Sequence, residues 1–176
     1  MNTYLFLIFI GLTTPSLTIF DFKKTNKLSD WIVVNDGVMG GLSKGKITLN
    51  DKGNAIFSGT VSLENNGGFS MVRYRFSTKK VKGYTKALIT LKGDQKRYQF
   101  RVKTNTYDRH SYITHFETSG EWQTIEIPLS EMYPAFRGVS LDMQNYPSIQ
   151  MEEIAFLIGN KKQENFRLEI DKIVLE

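Results

Sequence analysis

The sequence predicts one all-β domain of the sandwich or barrel type. Three observations carry that reading. The 176-residue chain breaks into short alternating apolar and polar segments, punctuated by Gly, Asn, Asp and Pro. Long helical periodicity is absent, and the best helical piece is a turn around Leu129–Met132. No Pro-rich or Ser-rich linker, fixed-period repeat or low-complexity tract divides the chain. Many short strands at regular spacing indicate a sandwich or barrel.

The elements follow in order. The first expected strand, Thr18–Phe22, closes the uncharged N-terminal stretch. Trp31–Asn35 is an apolar run stopped by Asn-Asp-Gly, and Gly45–Leu49 and Ala55–Ser62 flank an Asn/Asp/Gly turn. Phe69–Phe76 alternates, Lys86–Lys92 runs into Gly93-Asp94, and Arg97–Thr104 alternates again. Ser111–Thr118 and Trp122–Ile127 part at Ser119-Gly120, while Glu153–Ile158 and Phe166–Leu175 close the chain. The domain is expected to run from residue 19 to 176.

Residues 1–18 read differently. Nothing before Asp21 is charged, and Tyr4–Ile10 is an unbroken apolar run. That run is too short to span a bilayer. Its length suits the apolar region of a signal peptide, with Pro15 as breaker and Ser16 and Thr18 near a cut. The segment is read as a signal peptide or apolar extension. Export to the periplasm or cell envelope follows from the first reading and a cytoplasmic place from the second.

Composition narrows the function. The chain has no cysteine, which excludes a disulfide framework, zinc–cysteine and iron–sulfur sites and a cysteine nucleophile. Its 23 Lys+Arg against 18 Asp+Glu give +5, but charges of both signs are interspersed, so no nucleic-acid partner is expected. Neither His110 nor His115 has metal-ligand spacing. Neither Gly-x-Ser-x-Gly nor a strand–turn–helix elbow for a serine nucleophile is expected, and no pair of carboxylates is singled out for glycosidase chemistry. The protein is therefore expected to be no enzyme, with no cofactor and no bound metal.

Alternation assigns faces. Val72, Tyr74 and Phe76 share one side of their strand, with Met71, Arg73 and Arg75 on the other. Tyr98, Phe100 and Val102 are opposed by Arg97, Gln99, Arg101 and Lys103. If both strands lie in one sheet, the outward rows form a basic face. Such a face is either plain solvated surface or a groove for an anionic or hydroxyl-rich ligand. Trp31 and Trp122 each open an apolar strand and are both expected in the core.

Two loops are the densest signals. Asn35-Asp36-Gly37-Val38-Met39-Gly40-Gly41-Leu42-Ser43 combines Asx turn formers with three glycines. Gly40–Lys46 has the glycine and lysine spacing of a phosphate-binding loop, but Ile47 stands where a hydroxyl is required and a strand pattern follows. Leu63-Glu64-Asn65-Asn66-Gly67-Gly68-Phe69 reads first as a tight connection needing left-handed backbone, and second as a polar rim for a ligand or partner.

These two blocks carry a resemblance. With Phe57-x-Gly59, Gly93-Asp94 before Tyr98, Trp122 with Ile127-Pro128, Phe136-Arg137-Gly138 and the closing Phe166-x-Leu168-x-Ile170-Asp171-x-Ile173, the chain resembles the complex I intermediate-associated protein 30 family from Ile19 onward. The resemblance implies a galactose-binding-domain-like β-sandwich (jelly roll). It also implies a non-enzymatic, chaperone-like assembly factor for respiratory NADH:ubiquinone oxidoreductase. The N-terminus lacks the arginine of a transit peptide, so the chain reads as a stand-alone, bacterial-type member.

The expected contact residues are Asn35, Asp36, Gly37, Met39, Gly40, Gly41, Ser43, Glu64, Asn65, Asn66, Gly67, Gly68, Arg73 and Arg101. The expected partner is a protein, with respiratory-complex subunits first. The alternative is a carbohydrate-binding module of the cell envelope, in which the basic face with Tyr98, Gln99 and Arg101 takes an acidic glycan.

Overall fold

The computed structural model describes residues 15–25 and 27–176. The signal-peptide reading falls mostly on residues outside that range. The first strand, β1 (Leu17–Asp21), begins inside the 1–18 segment and pairs Leu17 and Thr18 with Leu175 and Val174.

Twelve further strands follow. They are β2 (Trp31–Asn35), β3 (Lys44–Leu49), β4 (Ala55–Val61), β5 (Ser70–Lys80), β6 (Lys86–Lys92) and β7 (Arg97–Lys103). After these come β8 (Ser111–Glu117), β9 (Trp122–Pro128), β10 (Tyr133–Phe136), β11 (Val139–Ser140), β12 (Gln150–Ile158) and β13 (Glu164–Leu175). One sheet runs β3-β4-β13-β6-β9, with β1 also on β13. The other runs β11-β10-β8-β7-β12-β5-β2. Every pairing is antiparallel. Each sheet buries one face against the other, the arrangement that lets alternating strands form a core without helices.

The expected strands are present, with shifts that have physical causes. Strand β12 starts three residues early because a bulge between Met151 and Glu153 breaks the period of two. Strands β10 and β11 were not foreseen, since Pro134 inside a four-residue run argues against a strand. The Arg137-Gly138 turn joins them with φ of 50° and 80°, the left-handed pair that a two-residue hairpin favours. The turn at Leu129–Glu131 is a short 3-10 helix.

One end of the core is aromatic. Trp31 packs on Phe20 at 5.3 Å, Phe22 at 5.4 Å and Tyr74 at 5.2 Å between ring centroids. The cluster ties β1 of one sheet to β2 and β5 of the other. Trp122 differs from expectation: on edge strand β9 it is 43% exposed and outside the core. Trp31→Ala is therefore expected to cost about 3–5 kcal/mol of unfolding free energy in urea denaturation. Trp122→Ala should cost less than that, because 43% of its surface is already in water.

Candidate functional site

The two signature loops meet over one carboxylate. Asp36 is 1% exposed and opens a 3-10 turn, Asp36–Met39, directly after β2. Its Oδ1 accepts the Ser43 amide at 3.0 Å. Its Oδ2 accepts the Ser43 hydroxyl, the Gly68 amide at 2.6 Å and the Phe69 amide at 3.2 Å. The carboxylate thus bonds its own loop and the loop before β5 at once. Burial alone pushes this carboxyl up. The Ser43 hydroxyl and the amides of Gly68, Phe69 and Ser43 outweigh it and hold the group below the usual carboxylate range.

The neighbouring residues serve the same closure. A Cβ on Gly41 would collide with the Asp36 side chain, and one on Gly67 would lie 2.7 Å from Asp36 Oδ2. Only glycine permits these approaches. Asn35 Oδ1 accepts the Gly45 amide at 3.1 Å and the Ser70 hydroxyl at 2.7 Å, tying β2 to β3 and β5. Ser43 Oγ also accepts the Ser62 amide at 3.0 Å.

Contrary to the expectation that Gly-x-Ser-x-Gly is absent, Gly41–Gly45 has that spacing. Ser43 is buried, its hydroxyl donates to Asp36, and strand β3 follows instead of a helix. The spacing is that of a hydrolase elbow without its geometry.

Of the expected contact residues, Gly37, Gly40, Glu64, Asn65 and Asn66 are exposed along a rim, while Asp36, Gly41 and Ser43 lie inside. Gly67 and Gly68 are half-buried, and the side chain of Met39 falls outside the described residues. Asn65 and Asn66 take φ of 54° and 58°, the left-handed backbone expected of this connection. Leu42 and Leu63 are 47% and 45% exposed and stand next to the bonded pair Ser43 and Ser62. These two leucines were not singled out in the sequence, where nothing separates a loop leucine at the surface from one in the core.

Arg73 and Arg101 lie elsewhere, on the outward face of the seven-stranded sheet. Both oppose Ala155 of β12, so the register reads Ile32, Arg73, Ala155, Arg101, Ile113, Tyr133 across six strands. The two arginine-bearing strands do share one sheet, with β12 between them. Tyr98 does not join that face. It is buried in the core with its hydroxyl donating to Asp94 at 2.8 Å, and burial beside that carboxylate pushes the phenol up.

On the outward face, Arg75 Nε donates to buried Glu153 at 2.7 Å. Arg101 donates to the Gln99 amide oxygen at 3.2 Å, and Lys103 to the Asp108 carbonyl at 2.6 Å. His115 lies beside Tyr133, with its Nδ1 3.5 Å from the phenol oxygen. A shallow depression of about 350 Å³ at the end of this face is lined by Gln95, Lys96, Arg97, Glu117, Asn160 and Lys162. No group of three or more metal-ligating side chains converges among the described residues. No helix among them is long and apolar enough to cross a membrane.

The two packed antiparallel sheets define a galactose-binding-like β-sandwich. The chain belongs to the complex I intermediate-associated protein 30 family, whose model matches residues 20–170. No curated protein sequence matches it. Among solved structures, it is similar to the family 11 carbohydrate-binding module of the cellulosomal cellulase Lic26A-Cel5E of Clostridium thermocellum. That match has a TM-score of 0.67 and 18% identity, over 93% of this chain and 95% of that one. The same module in complex with a β-1,3-1,4-mixed-linked tetrasaccharide gives 0.64 and 18%, over 91% and 94%. At these identities the likeness establishes the fold.

Two predictions follow from the geometry. Asp36→Ala leaves three amides and a hydroxyl without their acceptor, at about 1–3 kcal/mol for each group left unsatisfied. A loss of at least about 3 kcal/mol is expected in chemical denaturation. Because folding lowers this pKa, the Asp36 contribution is complete above the unfolded value of about 3.9 and is lost as pH falls below it. Asp36→Asn should flatten that part of the stability–pH curve.

Burial, then the cations of Arg97 and Arg101, hold His115 below its ordinary value, against an opposing effect of Glu117. Arg101→Gln is expected to raise the His115 titration midpoint in an NMR titration.

Proposed function

We propose that this protein is a non-enzymatic binding module of the assembly-factor kind, docking a protein partner through the rim made by the two signature loops. The single observation that carries this reading is the Asp36 closure. It fuses two glycine-rich loops into one preorganised edge and leaves Leu42 and Leu63 at its surface. Rigid apolar side chains in a polar rim suit protein docking, since little ordering entropy is lost on contact. Membership of the complex I intermediate-associated protein 30 family supports respiratory-complex subunits as the partner.

The test is capture from native membranes with the wild-type chain and Leu42→Asp/Leu63→Asp. Respiratory NADH:ubiquinone oxidoreductase subunits are expected with the wild type, with recovery reduced about tenfold or more by the variant. Absence of those subunits from the wild-type capture overturns the partner assignment. Equal recovery with the variant overturns the rim.

A second reading, binding of a cell-envelope glycan, is favoured by a different observation. The Arg73 and Arg101 rows fall together on one sheet face of a sandwich similar to a module solved in complex with a tetrasaccharide. Export through the N-terminal segment belongs with this reading. Mass spectrometry of the mature N-terminus tests it: loss of the residues before β1 supports export, and retention of Met1 counts against it.

A further inference from the structure

The outward face of the seven-stranded sheet is built unlike ordinary solvated surface. Ile113, Ala135, Ala155 and Leu157 are all buried yet stand outside the core cluster. They point away from the sandwich interior and form an apolar floor beneath the long cationic side chains. Alternation puts Glu153, Ala155 and Leu157 on this side, opposite Ile154, Phe156 and Ile158.

The charges over that floor are unbalanced. Arg73, Arg75, Arg101 and Lys103 lie around Glu153, which Arg75 already occupies at 2.7 Å, while Asp108 acts on Lys103 and Glu117 stands opposite Arg97. Among the described residues, Arg101 finds only the neutral Gln99 oxygen. The Nε atoms of Arg73 and Arg101 are both shielded from water and find no hydrogen-bond partner among the described residues. Burial works against the Arg101 cation, and Glu153 offsets this only in part. An anion supplied from outside offsets the surplus positive charge at the guanidinium tips.

The spacing suits an anion whose charges recur about 10 Å apart. Arg73 and Arg101 flank Ala155 in register, so their backbones are two strand spacings apart, about 10 Å. This is about the reach of two sugar units in an extended β-linked chain. The row from Ile32 to Tyr133 crosses six strands, about 24 Å, and is long enough for several sugars. An extended peptide fits worse. Its like-facing side chains recur every ~6.7 Å, and peptides that pair with sheets add to an edge instead of a face.

Building on the glycan reading, we propose that this face binds an acidic polysaccharide carrying a carboxylate on every second sugar. The guanidinium of Arg73 and that of Arg101 each take one carboxylate in a forked pair, the geometry that arginine favours.

The test titrates the full chain with octasaccharides of hyaluronan and unsulfated chondroitin, in which uronate alternates. A neutral mixed-linkage β-glucan and polyglutamate serve as comparisons. Binding to the alternating uronates is expected, weakening as salt rises. Arg73→Gln and Arg101→Gln should each weaken it about tenfold or more, while Lys46→Gln on the other sheet leaves it unchanged.

In the wild type, the His115 resonances should shift on titration, which reads the location without a variant. Tighter binding of the neutral glucan overturns the acidic-ligand inference but leaves the glycan reading standing. Absence of binding to every glycan overturns both. Binding of polyglutamate at least as tight as that of the uronates overturns the inference in favour of an acidic protein. Glycan binding with a silent His115 places the ligand elsewhere and overturns this site.

Discussion

The closure of two loops over the Asp36 carboxylate is the constraint on which one end of this sandwich depends. A buried charge is costly unless its oxygens are fully bonded. Here they accept two amides from the loop before β5 and an amide and a hydroxyl from their own loop. The connections β2–β3 and β4–β5 are thereby held to each other, as well as each being closed at its own strand ends. Asn35 extends the arrangement by bonding β3 and β5 from the last residue of β2.

A second carboxylate does the same at another turn. Asp94 accepts the Tyr98 hydroxyl, the Lys96 ammonium and the Arg167 amide, so the β6–β7 connection is bound to β13. A chain without cysteine has no covalent staple, and these two acids join the core in fixing its loops. The aromatic cluster around Trp31 supplies the non-polar counterpart, linking the sheets through β1, β2 and β5. The residues that mark the family are thus largely those that hold turns and layers together.

The surface available for binding is separate from most of those residues. At the loop rim it consists of glycines, Glu64, Asn65 and Asn66, and the unanticipated leucines 42 and 63. On the seven-stranded sheet it consists of cations over a buried apolar floor. The rigidity of the first depends on Asp36, and the charge imbalance of the second depends on Glu153 having taken Arg75. The loop rim and the cationic sheet face accordingly lie on different parts of one scaffold.

Much of the fold was legible in the sequence. Alternation located β2, β3, β6, β7 and β8 nearly to the residue, because each has one face more shielded than the other and local pattern reports burial. It failed where the period broke, at the β12 bulge and at Pro134 in β10. It placed Trp122 in the core because an edge strand and a central strand share the same local pattern. The turn chemistry of the Asn-Asp-Gly and Asn-Asn-Gly blocks was also legible, as was the opposition of cations to apolar side chains along β5 and β7.

What only the tertiary structure decided is which groups meet. Asp36 and Gly68 are 32 residues apart, and Arg73 and Arg101 come together only because β12, from late in the chain, inserts between β5 and β7. Composition and period are local properties of a strand. Strand order and register are set by packing of the whole chain, and they alone turn two rows of charge into one face.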